Sequence, residues 1–324
     1  MNKILLIIKR EYLTRVRSRT FIISTFLTPL FFVGLIAAIT YFTAASPDKG
    51  SAMADKIMQN GPLPEKENLG IAYLAGYISS FLIYITILIY GTMVMRGVSE
   101  EKTNRIAEII ISSVKPFQLM MGKILGIGAV GLTQFIMWLI LIVIFSSAAF
   151  FFLPSPAINE LATTDANLKA PAILADLAKV NLPLLITCFV FYFIFGYLFY
   201  ASLFAAVGSA VSEDAQDTQS LMFPITMPIV LAIVLMMQAI NDPSGNLAVW
   251  SSLVPFFSPV VMMARLPFGV PAAVPYWQLA TSMLLLFGGF VFTTWLSAKI
   301  YRTGILLYGK KITWKEMWKW TVRS

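Results

Sequence analysis

Gly304, Gly309 and Lys310 fall in the spacing GxxxxGK, the core of a loop that cradles nucleotide phosphates. Such a loop follows a strand, opens a helix and offers a Ser or Thr hydroxyl to magnesium. Here Lys311 stands where that hydroxyl belongs, and the segment trails a long apolar run. The expectation is a chain with no ATPase site of its own. Zero histidines exclude a Ser-His-Asp triad, a His-ligated metal and a His proton relay. A lone cysteine, Cys188, excludes a disulfide framework and a Cys-based zinc site. Neither metal nor cofactor is expected in the chain, and no nucleophile–base pair marks it as an enzyme.

The stretch from Arg96 to Lys123 offers a different chemistry, that of recognition. Ser99 is placed to cap a short helix, with Glu100 and Glu101 at its positive dipole end and Glu101 four residues before Arg105. Ile106, Ile109 and Ile110 add an apolar stripe, and Pro116 ends the pattern. A charged helix with an apolar ridge is either a solvated connection or a docking surface for a soluble partner. A second acidic turn, Glu213, Asp214 and Asp217, has the same two readings.

The elements that would hold these segments are apolar. Of 324 residues, 58% are hydrophobic and 12% charged, with a mean hydropathy of +0.78, against about 25% charged residues in soluble domains. Six stretches free of Asp, Glu, Lys and Arg are long enough to cross a bilayer, at about 21–43, 71–94, 124–152, 183–210, 219–240 and 276–298. A seventh, 243–264, is interrupted by Pro243, Pro255 and Pro259 and reads as short re-entrant or interfacial helices. None of the six contains an ionisable Asp, Glu, Lys or Arg, which argues against a proton-coupled transporter or a voltage sensor.

With six spans, the side holding both termini carries 18 Lys and Arg and the other side 6, while acidic residues divide 8 and 8. Both termini, and the tail 299–324, are therefore predicted on the cytoplasmic side. The formal charge of +8 flanks spans and forms no soluble basic face, so nucleic acid is not the expected partner. Residues 2–19 alternate Ile4, Leu5, Ile8, Tyr12 and Val16 with five basic residues, as an amphipathic helix on the inner leaflet would. Gly122 and Gly126, with Ala201, Ala205 and Ser209, form small-residue faces suited to close packing within the bundle or between subunits.

The run Val98, Glu100, Glu101, Lys102, Arg105, Glu108, Ser112, Ser113, Pro116, Gly122 and Lys123 resembles the signature of ABC-2 type transporter permeases before their third helix. Ile8–Arg15, Gly208–Asp217 and Tyr301–Lys310 are similar to the sodium-efflux (Nat-type) subgroup, as are Pro259 and Arg265. The resemblance implies an all-α polytopic membrane protein, residues 1–324 forming one permease domain of six transmembrane helices with an N-terminal amphipathic helix and a re-entrant segment before the last helix. It also implies a bacterial cytoplasmic membrane, a second permease copy or paralogue, and a separate cytoplasmic ABC ATPase subunit that binds the ATP and magnesium. Glu100, Glu101, Lys102, Arg105, Ile106, Glu108 and Ile109 would then couple to that subunit, with Glu213, Asp214 and Asp217 as a secondary turn. Sodium-efflux relatives often carry a sizeable extracellular domain between the first two helices, where this chain has only 44–70. Drugs, lipids or peptides stand as alternative cargo, and a channel or scaffold needing no ATPase is the rival class.

Overall fold

The structure, a computed structural model, describes residues 3–30, 69–152, 181–211, 215–307 and 313–323. Among these residues every regular element is helical. α1 covers Lys3–Val16, and α2 runs over 19–30. α3 (Leu69–Thr103), α4 (Ile106–Ile111), α5 (Pro116–Phe152), α6 (Leu182–Ala210) and α7 (Ala215–Asn241) follow. Two short helices, α8 (Asn246–Leu253) and α9 (Ser258–Arg265), and a 3-10 turn at Leu266–Phe268 lead into α10 (Tyr276–Gly304) and α11 (Trp314–Arg323).

Five segments are long and apolar enough to cross a membrane: Ala75–Thr103, Pro116–Leu141, Leu182–Ala210, Thr218–Asn241 and Tyr276–Gly304. Half or less of the most apolar stretch of each is buried in protein, and Ile186, Phe223, Val234 and Leu284 point outward. Lipid tails are as apolar as these side chains, so a bilayer accepts the surface that water would expel. These are the helices of a multi-pass membrane protein. The first predicted span, 21–43, is helical over 21–30, and its remainder lies outside the described residues.

Two expectations, the end of the second span and the cap at Ser99, need correction. The predicted second span stops at residue 94, but α3 is one helix of 35 residues that continues to Thr103. Glu, Lys and Arg end an apolar run without ending a helix, because they are good helix formers. Ser99 therefore caps nothing; it lies inside α3, where its carbonyl accepts from the Thr103 hydroxyl at 2.9 Å. Glu100 and Glu101 sit at the negative dipole end of α3, the reverse of the predicted arrangement. The segment 243–264 holds α8 and α9, eight residues each, or about 12 Å, too short to cross. Pro255 falls between them, and Pro259 occupies the first turn of α9, where its missing N–H costs nothing.

The chain divides into two compact units, one of Met1–Leu13, Ala72–Gly131 and Val180–Ser324, the other of Thr14–Ile71 and Leu132–Lys179. In the first, α6 and α10 pack side by side. The Tyr192 hydroxyl bonds Ser282 Oγ at 2.9 Å and Ser202 Oγ bonds Thr293 Oγ1 at 3.0 Å. Tyr197 donates to the carbonyl of Ile124 at 2.7 Å and Tyr200 to that of Phe256 at 2.6 Å. With no water in the hydrocarbon core, polar groups there find partners on neighbouring helices. In the second unit, Gln134 Nε2 donates to Ser24 Oγ at 3.5 Å.

The small-residue faces serve packing within the first unit. A Cβ on Gly122 would lie 2.6 Å from Ile7 Cγ2, and one on Gly126 would lie 2.8 Å from Glu11 Cβ, so α1 lies directly on α5. Ala201, Ala205 and Ser209 are fully buried. At the start of α3, a Cβ on Gly76 would sit 2.8 Å from the carbonyl oxygen of Ala264, which places α3 hard against the end of α9.

Candidate functional site

At the Glu101 end of α3, three chain segments meet around one buried ammonium. Lys123, in the second turn of α5, is 1% exposed. Its Nζ lies 3.0 Å from Glu101 Oε1 and donates to Glu11 Oε1 at 3.3 Å and to the Gly97 carbonyl at 3.1 Å. An ammonium has three donors, and all three are used. Glu11 and Glu101 are themselves buried. Arg10, on the exposed side of α1, approaches Glu101 Oε1 to 4.0 Å. Next along α3, buried Lys102 donates to the Ser209 carbonyl at 2.6 Å, near the last turn of α6. α1, α3, α5 and α6 are thus tied by two lysines and two glutamates of balanced charge.

Two buried polar atoms beside this cluster have no hydrogen-bond partner among the described residues: Glu101 Oε2 and the Tyr301 hydroxyl of α10. Tyr301 feels the charges of both Glu101 and Glu11. Each is a buried polar group whose lost hydrogen bond costs free energy.

Beyond Thr103 the chain turns. Arg105 adopts φ 55°, a left-handed conformation that ends α3 and starts α4 in a new direction. The predicted i,i+4 pairing of Glu101 with Arg105 does not form, because the helix that would align them stops at Thr103; Glu101 turns inward to Lys123 instead. On α4, Ala107 is buried, Ile106 is 37% exposed and Ile109 is 74% exposed. Glu100 and Arg105 are exposed. Glu100 also lines a groove of about 550 Å³ with Arg96, Ser99, Thr218 and Gln219.

The predicted recognition residues are therefore split. Glu101 and Lys102 belong to the buried cluster, while Glu100, Arg105, Ile106 and Ile109 face outward beside it. The side chains of Glu108 and Asp217, and residues Glu213 and Asp214, lie outside the described residues. The centre of the cluster, Lys123 with Glu11, was not singled out from residue chemistry. Its signals were a lone acid in a basic N-terminal helix and a lone lysine heading an apolar run.

A third buried cation sits near the other end of α3. Arg265 is fully buried at the end of α9. Its Nε donates to the Pro243 carbonyl at 2.7 Å, Nη1 to Ser252 Oγ at 2.6 Å, and Nη2 to Gln278 Oε1 at 2.8 Å and the Ala273 carbonyl at 3.4 Å. All four acceptors are neutral. Burial lowers its pKa to about 10, which leaves it charged at neutral pH. The guanidinium fork gathers the end of α7, α8, the loop after α9 and the start of α10.

Residues 51–299 match the family described as ABC-2 family transporter protein. The chain is 31% identical over 265 residues to the uncharacterized protein YhaP of Bacillus subtilis (strain 168), covering 82% of this chain and 59% of that one. It is 29% identical over 239 residues to the uncharacterized protein MJ1024 of Methanocaldococcus jannaschii, covering 74% and 51%. The chain thus spans little more than half the length of these relatives. No solved structure matches. The long apolar helices and the extent of the family match agree: the chain belongs to the ABC-2 family of transporter proteins, membrane components of ABC transporters that are generally non-catalytic.

Proposed function

We propose that this chain is the membrane-spanning permease subunit of an ATP-driven exporter, and that α4 with its flanking charges is where a cytoplasmic ATPase subunit docks. The observation that carries this reading is the position of α4. Its exposed ridge, Ile106 and Ile109, is joined through Arg105 to a helix end locked to α1, α5 and α6 by the buried charge cluster. Force applied to α4 is delivered to four helices together. Glu100 and Arg105 supply rim charges for a partner, whereas Glu101 and Lys102 transmit from inside. This revises the expected role of the last two.

The remaining parts of the reading follow from sequence. Six spans, a re-entrant α8–α9 segment and termini in the cytoplasm of a bacterial cell satisfy the basic-residue asymmetry. ATP and magnesium bind the ATPase subunit, and a second permease copy or paralogue completes the route. The subgroup resemblance nominates sodium as cargo; uncharged spans suit drugs, lipids or peptides equally. Cysteine introduced at Ser244 in a Cys188→Ser background should react with an external impermeant thiol reagent, while cysteine at Asn104 or Lys315 should not.

The functional test is capture of the complex. The tagged full chain, solubilised from its native membrane, should bring down ATPase activity, and Ile109→Asp should abolish it while leaving insertion intact. Burying an unpaired carboxylate in a desolvated contact costs several kcal/mol, on the order of 2–5. Full retention of ATPase activity by Ile109→Asp would sink the docking assignment.

A further inference from the structure

A groove of about 870 Å³ runs between the start of α5 and the last turns of α10. Its polarity is sorted along its length. Phe117, Met121, Phe290, Val291 and Trp295 form apolar walls, and Lys115, Lys299 and Arg302 stand at the rim. Among the described residues no carboxylate lines it. Phe290 and Arg302 are twelve positions apart on one helix, or about 18 Å, close to the hydrocarbon depth of a single leaflet, about 15 Å.

α11 extends the same surface. Met317 and Thr321 are buried, and the Thr321 carbonyl accepts from Lys299 Nζ at 3.0 Å. Lys299 Nζ also lies 4.5 Å from the centre of the Trp295 ring. Trp314 and Trp318 are exposed, with Lys315 and Lys319 beside them. The acid of this helix, Glu316, is engaged locally, accepting from the Thr313 amide at 3.3 Å. Exposed tryptophans interleaved with lysines mark the level of lipid headgroups.

We infer that this groove is a binding site for an anionic phospholipid, its phosphate held by Lys115, Lys299 and Arg302 and its acyl chains laid along Phe117, Met121 and Phe290. Free phosphate would use the rim and leave the apolar walls empty. A second apolar helix would fill the walls and leave the charges of Lys115 and Arg302 unanswered. A phospholipid satisfies both ends, and basic pockets between membrane helices are the sites where acidic headgroups bind. The inference rests on the chain spanning a bilayer and not on ATPase docking.

The test uses the full chain in detergent micelles, with retained lipid read by native mass spectrometry after adding phosphatidylglycerol or phosphatidylcholine. Phosphatidylglycerol should be retained in preference. K115Q/R302Q should lower its retention about tenfold or more, with phosphatidylcholine retention unchanged, and K115R/R302K should keep the preference. Lys299 is left intact because it holds α11. Ile109→Asp should retain lipid normally, so failure of the docking assignment leaves this result standing. The proposal is overturned if both lipids are retained equally, if K115Q/R302Q retains phosphatidylglycerol fully, or if inorganic phosphate displaces it. Disulfide cross-linking of two chains through Phe117→Cys would also overturn it, by showing a second copy on the groove.

Discussion

Lys123 and Arg265 are both buried cations, placed near opposite ends of α3, and they are neutralised in different ways. Lys123 is compensated by two carboxylates, one from 22 residues away and one from 112 residues away. Among the described residues Arg265 is hydrogen-bonded by neutral dipoles, from partners 8 to 22 residues distant. The first is an ion network that joins remote parts of the chain. The second is a local staple, in which the delocalised guanidinium, weakly hydrated and rigidly forked, tolerates neutral acceptors that would serve an ammonium poorly. The difference teaches where motion can be transmitted: an ion network couples segments that are otherwise independent, whereas a staple keeps one segment rigid.

The sharpest way to break this contrast is to remove the ammonium. Lys123→Met removes the buried ammonium that Glu11 and Glu101 share and should cost about 3–5 kcal/mol, seen as a large fall in melting temperature or in folded protein recovered in detergent. Replacing all three by apolar residues, Lys123→Met with Glu11→Leu and Glu101→Leu, should restore most of that stability while abolishing coupled transport. If the triple variant melts as low as the single one, packing and not charge holds this end together. Arg265→Lys comes next. An ammonium cannot reproduce the fork, so at least one acceptor loses its partner, costing about 1–3 kcal/mol. A loss as large as that of Lys123→Met would erase the distinction between network and staple. The smallest effect belongs to Ile109→Asp, which should change stability by no more than about 0.5 kcal/mol, because the side chain is 74% exposed in the chain alone, and yet remove the ATPase.

Five of the long apolar helices were legible because apolar length is a local property, readable without knowing what surrounds it. The proline breaks at Pro255 and Pro259 were legible for the same reason. The end of α3 was misplaced because hydropathy falls at Arg96 while helix propensity does not, and nothing in a one-dimensional pattern separates the two. Glu101 was read as a surface residue since a glutamate among charges usually is one; only Lys123, brought alongside by the fold, turns it inward. Glu11 and Lys123 had no visible relation in the sequence, being 112 positions apart. Arg265 was noticed only through family resemblance, because neutral acceptors such as the Pro243 carbonyl leave no trace in residue type.

α3 is a stiff rod, and stiff rods convert angle into distance. Between Gly76, pressed on the carbonyl of Ala264, and Glu101, clamped to Lys123, lie about 37 Å of unbroken helix. Over that arm a tilt of about 5° carries the far end sideways by about 3 Å, more than the width of a hydrogen bond. A tilt of α3 started at the Glu101 end would therefore reach the contact between Gly76 and Ala264, next to Arg265, as a lateral displacement.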